Sequence, residues 1–286
     1  MPTTFYACDM RCTYLLIHAL ILLPAIPLSA QQLTQQSVST SLGAIAVQVN
    51  EVAGSTPIIF LHGVYYDHQL WQEYVDRIHD RTVITLDMPL HGDSKQIPTS
   101  AWTLDDCADM LIEVLDELHV ERVIAIGHSW GSMTILRAAV KAPGRFQAVG
   151  FCNMPTEPAS TKTIRQFRLQ HLLLDFRTFY TKQVAKSMYG KQGYAQRPEL
   201  SAYLATSMGR LTKQEIKQTD TSVILQAEDA TPLLAILAVP ALALKGVEDY
   251  VPVSPHLPTR VATGGHVSPL EAPEAVWEFI QEVVEL

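Results

Sequence analysis

The sequence predicts an α/β fold: a mostly parallel, twisted sheet with helices on both faces and a helical cap inserted after the sixth strand. Three observations predict it. Short apolar runs read as strands: PIIFL at 57–61, continuously apolar as in a strand buried on both faces, TVITL at 82–86 as the next buried strand, and RVIAIG at 122–127 as another. These runs alternate with stretches of helical periodicity, and that alternation builds a parallel sheet with crossover helices. The alternation then stops over 155–237, which reads as mostly helical, and resumes with ALALKG at 241–246. The middle block is therefore an insertion between two strands of one sheet. Insertions at the loop ends of such sheets commonly cover the site.

The elements follow in order. Residues 1–30 stand apart. Arg11 gives a weakly basic start, an apolar run from Tyr14 to Leu28 is broken by Pro24 and Pro27, and Leu-Ser-Ala closes it. That is the shape of a secretory signal cut near Ala30. The run is shorter than the ~20 apolar residues of a spanning helix. The expectation is an exported protein, periplasmic or secreted, with no membrane association after cleavage; a non-cleaved anchor is the alternative. The core is expected at 31–154 and 238–286, with the cap at 155–237. Ser41-Leu42-Gly43 reads as a turn between two strands. AIAVQVN at 44–50 alternates as a strand with one wet face. A helix is expected over Asp67–His79 and another over 103–119, with Thr103 and Asp105 near its start. The helix after GHSWG carries the stripe Met133, Leu136, Val140 and stops at Pro143. FQAVGFCNM at 146–154 is a further strand, Arg260–Ala262 a short one, and 273–285 the last helix.

Composition removes several function classes. The net charge is −8, and no run of Lys or Arg stands out, so nucleic acid and anionic membrane surfaces are poor partners. The 256 residues after the signal suffice for one large domain with an insertion, as a monomer or homodimer. Cys8 and Cys12 leave with the signal. Cys107 and Cys152 read as small buried hydrophobes. No Cys/His grouping has zinc-site spacing, so no metal is expected.

GHSWG at 127–131 lies between a strand and a helix. This is G-x-S-x-G in the setting that gives the pattern meaning. Ser129 is expected at the strained apex of a sharp turn. Gly127 and Gly131 leave room for tightly packed backbone, and the helix start favours developing negative charge. A serine hydroxyl needs a base. Of ten histidines, His266 lies between the last strand and the last helix, at the sheet's carboxyl edge where ligands bind. The acid that orients it is expected just after a strictly apolar strand, in KGVEDYVP. Asp249 is the first choice there, Glu248 the second, and Glu157 a third. The order Ser129, Asp249, His266 is the chain order of this arrangement. Two backbone donors are needed for the oxyanion. The Trp130 amide is one. The Val64 amide is the choice for the other, with Tyr65 as the alternative. Tyr65, Tyr66, Phe167 and Phe179 are expected to shape the substrate pocket, alongside Leu174, Tyr180 and Met188.

At these residues the chain resembles the α/β-hydrolase superfamily. The matching pieces are FLHGV (60–64), DMPLHGDS (87–94), GHSWGS (127–132), KGVEDYVP (245–252) and GGHVSPLEAPE (264–274), in the family's order. It is most similar to the single-cap branch of small esterases, lactonases, cofactor-independent haloperoxidase-like enzymes and carbon–carbon hydrolases. In the dehalogenases and soluble epoxide hydrolases of that branch an aspartate stands at the place of Ser129, so serine argues against both. The Ser-Trp pair is also seen in proline iminopeptidase relatives, which usually carry a larger cap. Many relatives have Gly-Gly where this chain has Gly131-Ser132, and Ser132 is expected to crowd the helix–strand contact slightly. The resemblance implies a serine hydrolase acting on a small-molecule ester or lactone through an acyl-enzyme, with no cofactor. Its rivals are amide cleavage, perhydrolysis, carbon–carbon cleavage, cofactor-free oxygen chemistry with His266 as base, and a ligand-binding protein on the same scaffold.

Overall fold

In the computed structural model, β1 (Thr34–Thr40) and β2 (Gly43–Asn50) form a hairpin about Ser41-Leu42. Gly43 closes it at φ 129, where an added Cβ would stand 2.2 Å from the Gln96 carbonyl oxygen. The structure describes residues 1–4, 33–98 and 101–286. The expected cleavage near Ala30 falls outside the described residues.

The remaining strands are β3 (Ile58–Leu61), β4 (Val83–Leu86), β5 (Val123–His128), β6 (Phe146–Cys152), β7 (Ala241–Gly246) and β8 (Thr259–Ala262). They assemble in the order β1-β2-β4-β3-β5-β6-β7-β8. The β1–β2 and β2–β4 pairings are antiparallel and the rest parallel. Every residue of β3, β4 and β5 is buried, which is why these strands read as unbroken apolar runs. Helices flank the sheet. α2 (Leu104–Glu117) begins with a capping box in which Thr103 and Asp106 bond each other's amides. α3 (Trp130–Lys141) packs on β3 so closely that a Cβ at Gly131 would lie 2.3 Å from the Leu61 carbonyl oxygen. α10 (Ser268–Glu271) precedes α11 (Pro273–Val284), which sets Phe279 and Val283 over Gly150 of β6. The insertion between β6 and β7 is helical. It comprises α4 (Thr161–His171), α5 (Arg177–Met188), α6 (Lys191–Gln196), α7 (Pro198–Gly209), α8 (Lys213–Asp220), a π turn at Thr221–Leu225, and α9 (Thr231–Ile236).

Two elements differ from expectation. The helix expected over 67–79 is a 3₁₀ turn (His68–Trp71) followed by one turn of helix, α1 (Gln72–Val75). The cause is a tether: the His68 amide and Nδ1 both bond Asp87 Oδ1, at 2.8 and 2.9 Å, and draw the segment onto the end of β4. The strand expected to reach Met154 ends at Cys152, because Asn153 turns to φ 52. Among the described residues, no helix is long and apolar enough to cross a membrane. Cys107 and Cys152 are free and buried, and burial pushes both thiols up.

Candidate active site

Ser129 joins β5 to α3 with φ 50 and ψ −110, a conformation that L side chains rarely hold. Such a residue costs roughly 1–3 kcal/mol and persists only where its surroundings over-determine it. Here the Ser129 amide donates to the Cys152 carbonyl at 2.8 Å. A Cβ at Gly127 would lie 2.4 Å from the Ser132 nitrogen, so only glycine fits. Ser132, expected to crowd the contact slightly, is held there by hydrogen bonds. Its hydroxyl donates to the Gly127 carbonyl at 2.7 Å and to that of Cys152 at 3.2 Å, bracing the same turn.

His266 comes to Ser129 from the loop after β8. Its Nε2 lies 2.9 Å from Ser129 Oγ, and its Nδ1 lies 2.9 Å from Asp249 Oδ1. The loop is fixed by the Glu271 carboxylate, which accepts amides of Gly265 (2.9 Å), Val267 (3.3 Å) and Gly190 of the cap (2.7 Å). Burial pushes the Glu271 carboxyl up, against those three amides. The His266 amide donates to the Met188 carbonyl at 2.6 Å, a second tie to the cap.

Asp249 follows β7. Its Oδ2 accepts Asn153 Nδ2 at 2.8 Å and its Oδ1 accepts the Val251 amide at 3.2 Å. Burial acts to raise this carboxyl, but His266, Asn153 and the Val251 amide together hold it below the ordinary aspartate value. Glu248 is exposed and accepts the Lys191 amide at 3.3 Å. Glu157 lines the exposed edge of the cavity. Asn153 was not singled out in the sequence, and the left-handed turn that aims it left no local signal. Tyr250 was also missed. Its ring stacks on His266 at 4.6 Å between centroids, with its hydroxyl 3.2 Å from Nε2.

The loop after β3 passes directly over Ser129. A Cβ at Gly63 would stand 2.5 Å from His128 Nδ1 and 3.1 Å from Ser129 Cβ. Val64 and Ser129 line the same cavity. The Tyr65 amide is occupied by His91 Nε2 at 3.0 Å, which favours Val64 over Tyr65 as the donor. Trp130 is the first residue of α3, where amides have no acceptor within the helix.

Three other histidines are structural. His62 Nε2 accepts the Met88 amide, His91 Nδ1 donates to the Pro89 carbonyl, and His128 Nε2 donates to the His266 carbonyl. Burial pushes His91 and His128 down to about 3. Their folded-state values lie below the unfolded value of 6.5, so the unfolded chain binds protons first. Stability is full above pH 6.5 and falls as pH drops. At pH 5 each costs ~2 kcal/mol, offset in part by Asp220 and Glu271, whose carboxyls burial pushes up. The melting temperature at pH 5 is expected to be ~5 °C or more below that at pH 7.5. A scan showing no drop overturns the neutral state of these two rings.

The cavity holds about 440 Å³ and opens between the sheet edge and the cap. Val64, Tyr65 and Phe167 line it, as do Met133, Val184 and Met188. Tyr66 and Phe179 do not. Tyr66 is buried, stacks on Tyr203 and bonds the Tyr189 hydroxyl at 2.8 Å. Phe179 is 50% exposed, while Tyr180 and Val184 of the same helix are buried. An apolar stripe reveals a helix but not which of its faces meets a cavity.

Residues 56–188 match the model of the alpha/beta hydrolase fold. A Mycobacterium phage D29 protein assigned as a non-heme haloperoxidase is 35% identical over 104 residues, 36% of this chain and 37% of that protein. 3-Oxoadipate enol-lactonase 1 of Acinetobacter baylyi is 28% identical over 110 residues, 38% of this chain and 41% of that protein. The chain thus spans about two fifths of the length of these curated relatives. A solved esterase from Thermogutta terrifontis superposes with a TM-score of 0.74 at 20% identity, covering 88% of this chain and 97% of that one. The matched segment and the mostly parallel eight-stranded sheet give the chain the α/β-hydrolase fold.

Proposed function

We propose that the protein is a serine hydrolase of neutral carboxylic esters or lactones. The observation that carries this reading is the unbroken hydrogen-bonded chain from Ser129 through His266 to Asp249, set in a cavity. His266 takes the Ser129 proton as the hydroxyl attacks the carbonyl carbon. The Val64 and Trp130 amides hold the oxyanion. His266 then protonates the leaving alcohol, and an acyl-serine remains. Water, deprotonated by His266, releases the acid and restores Ser129. Asp249 keeps the proton of neutral His266 on Nδ1 and stabilises the imidazolium. The labelling test is direct: a fluorophosphonate is expected to modify Ser129 stoichiometrically and abolish ester turnover. A folded protein that neither labels nor turns over esters overturns the proposal.

The lining supports a neutral substrate. Among the described residues it contains no Lys or Arg, and its charged or titratable members are Tyr65, Glu157, Tyr250 and His266. An anionic acyl group would enter without a counter-charge. The p-nitrophenyl monoester of adipate is therefore expected to show kcat/KM ~100-fold below that of p-nitrophenyl hexanoate, as ~3 kcal/mol of unpaired carboxylate burial implies. Equal turnover of the two overturns the neutral-substrate assignment and leaves the serine chemistry standing. The kinship with the phage haloperoxidase supports one second reading, interception of the same acyl-serine by hydrogen peroxide, which peracid formation in peroxide would report.

A further inference from the structure

Tyr65 adjoins the proposed oxyanion donor Val64 and is gripped at three points. Its amide donates to His91 Nε2 at 3.0 Å. Its carbonyl accepts Ser207 Oγ at 2.6 Å, and its hydroxyl donates to Asp220 Oδ1 at 2.5 Å. His91 belongs to the sheet domain, but Ser207 lies on α7 and Asp220 at the end of α8. Two of the three grips therefore come from the cap. They are needed because Tyr65 sits at φ 70, a conformation that a bulky side chain abandons when nothing holds it. Asp220 is fully buried and is itself fixed by His171 Nε2 at 2.8 Å, with the Tyr180 hydroxyl at 3.5 Å. Neither Ser207 nor Asp220 lines the cavity, so neither is placed to touch substrate. Both point at the loop.

We infer that Asp220 and Ser207 are positioning residues through which the seated cap holds Tyr65, and with it the Val64 amide, in the geometry that receives the oxyanion. This rests on the hydrolase reading above. The cap is then a part of the catalytic frame as well as a roof over the substrate. Loosening it at Asp220 disorders Tyr65 and the Val64 amide while cavity residues away from that loop, such as Met133 and Tyr250, stay in place.

The test compares Tyr65→Phe, Asp220→Ala, Asp220→Asn and Ser207→Ala on p-nitrophenyl butyrate. Each is also titrated with an alkyl trifluoromethyl ketone, which adds Ser129 to form a tetrahedral oxyanion, and with the matching methyl ketone as a control. Tyr65→Phe, Asp220→Ala and Ser207→Ala are expected to lose about tenfold in kcat with KM within about twofold, and to weaken trifluoromethyl ketone inhibition by the same factor. Methyl ketone affinity is expected to hold. Asp220→Asn keeps an acceptor for the Tyr65 hydroxyl and is expected to recover most of the loss. Wild-type rates, or equal weakening of both ketones, overturns the inference. If Asp220→Ala does not fold, Tyr65→Phe, which removes a single oxygen, gives the same reading. A wild-type protein that ignores both the trifluoromethyl ketone and the fluorophosphonate fails at the hydrolase reading itself.

Discussion

Replacing Ser129 with alanine is expected to lower kcat on p-nitrophenyl butyrate by ~10⁶-fold, the scale seen when a nucleophile is removed from an intact base–acid pair. The loss is total for the chemistry because, among the described residues, no second hydroxyl stands on the β5–α3 turn in its place. Tyr250 also reaches His266 Nε2, at 3.2 Å, but a phenol stacked flat on the imidazole cannot occupy the turn over β5 from which Ser129 attacks. The fold should survive. Alanine keeps the backbone tie to Cys152, and the change removes one buried oxygen bonded to His266 Nε2. The measurement is turnover with melting temperature alongside. Activity that persists in a folded Ser129→Ala protein rules out an acyl-serine and leaves His266 acting as a base on some other reaction, such as the oxygen chemistry weighed from the sequence. Tight binding with no turnover in the wild type would favour a ligand-binding role instead.

What was legible in the sequence was local. A strand, a sharp turn and a helix in direct succession over 123–141 are enough to raise Ser129 above the sheet, and GHSWG carries its own steric reason in Gly127 and Gly131. The buried strands β3, β4 and β5 were legible because being covered on both faces leaves a single possible pattern. What was not legible depended on distant partners. Asn153 bonds Asp249 across 96 residues and Gly265 across 112, and nothing near position 153 reports either contact. The grip of Ser207 on Tyr65 spans 142 residues and that of Asp220 spans 155. Of the expected pocket residues, Tyr65 and Phe167 line the cavity while Tyr66 and Phe179 do not, for a related reason. Phe179 shares a helix with Val184, and only the packing of the cap decides that Val184 faces the cavity while Phe179 faces outward. The turn at 67–79 broke on a tether to Asp87, nineteen residues from His68.

Asp249→Asn carries the second large effect, an expected ~10⁴-fold fall in kcat with KM little changed. The surroundings of the carboxylate explain why an amide of the same size does not serve. Asp249 Oδ1 faces His266 Nδ1 and the Val251 amide, and Oδ2 faces Asn153 Nδ2. Asn153 cannot turn to oblige, because its Oδ1 accepts the Ser268 amide at 3.2 Å and its Nδ2 also donates to the Gly265 carbonyl at 3.2 Å. With the new amide's oxygen toward Asn153, its NH₂ faces His266 Nδ1. The ring is then forced to carry its proton on Nε2, where it cannot accept one from Ser129. With the oxygen toward His266, the tautomer is right, but two NH₂ groups meet at Asn153 and the imidazolium has lost its counter-charge. Either arrangement leaves a buried donor unpaired, so stability should fall by about 1–3 kcal/mol as well. The pH–rate profile and a chemical melt on one preparation check both effects. Near-wild-type kcat in Asp249→Asn would remove Asp249 from the mechanism and turn attention to Glu248, the other carboxylate of the same loop.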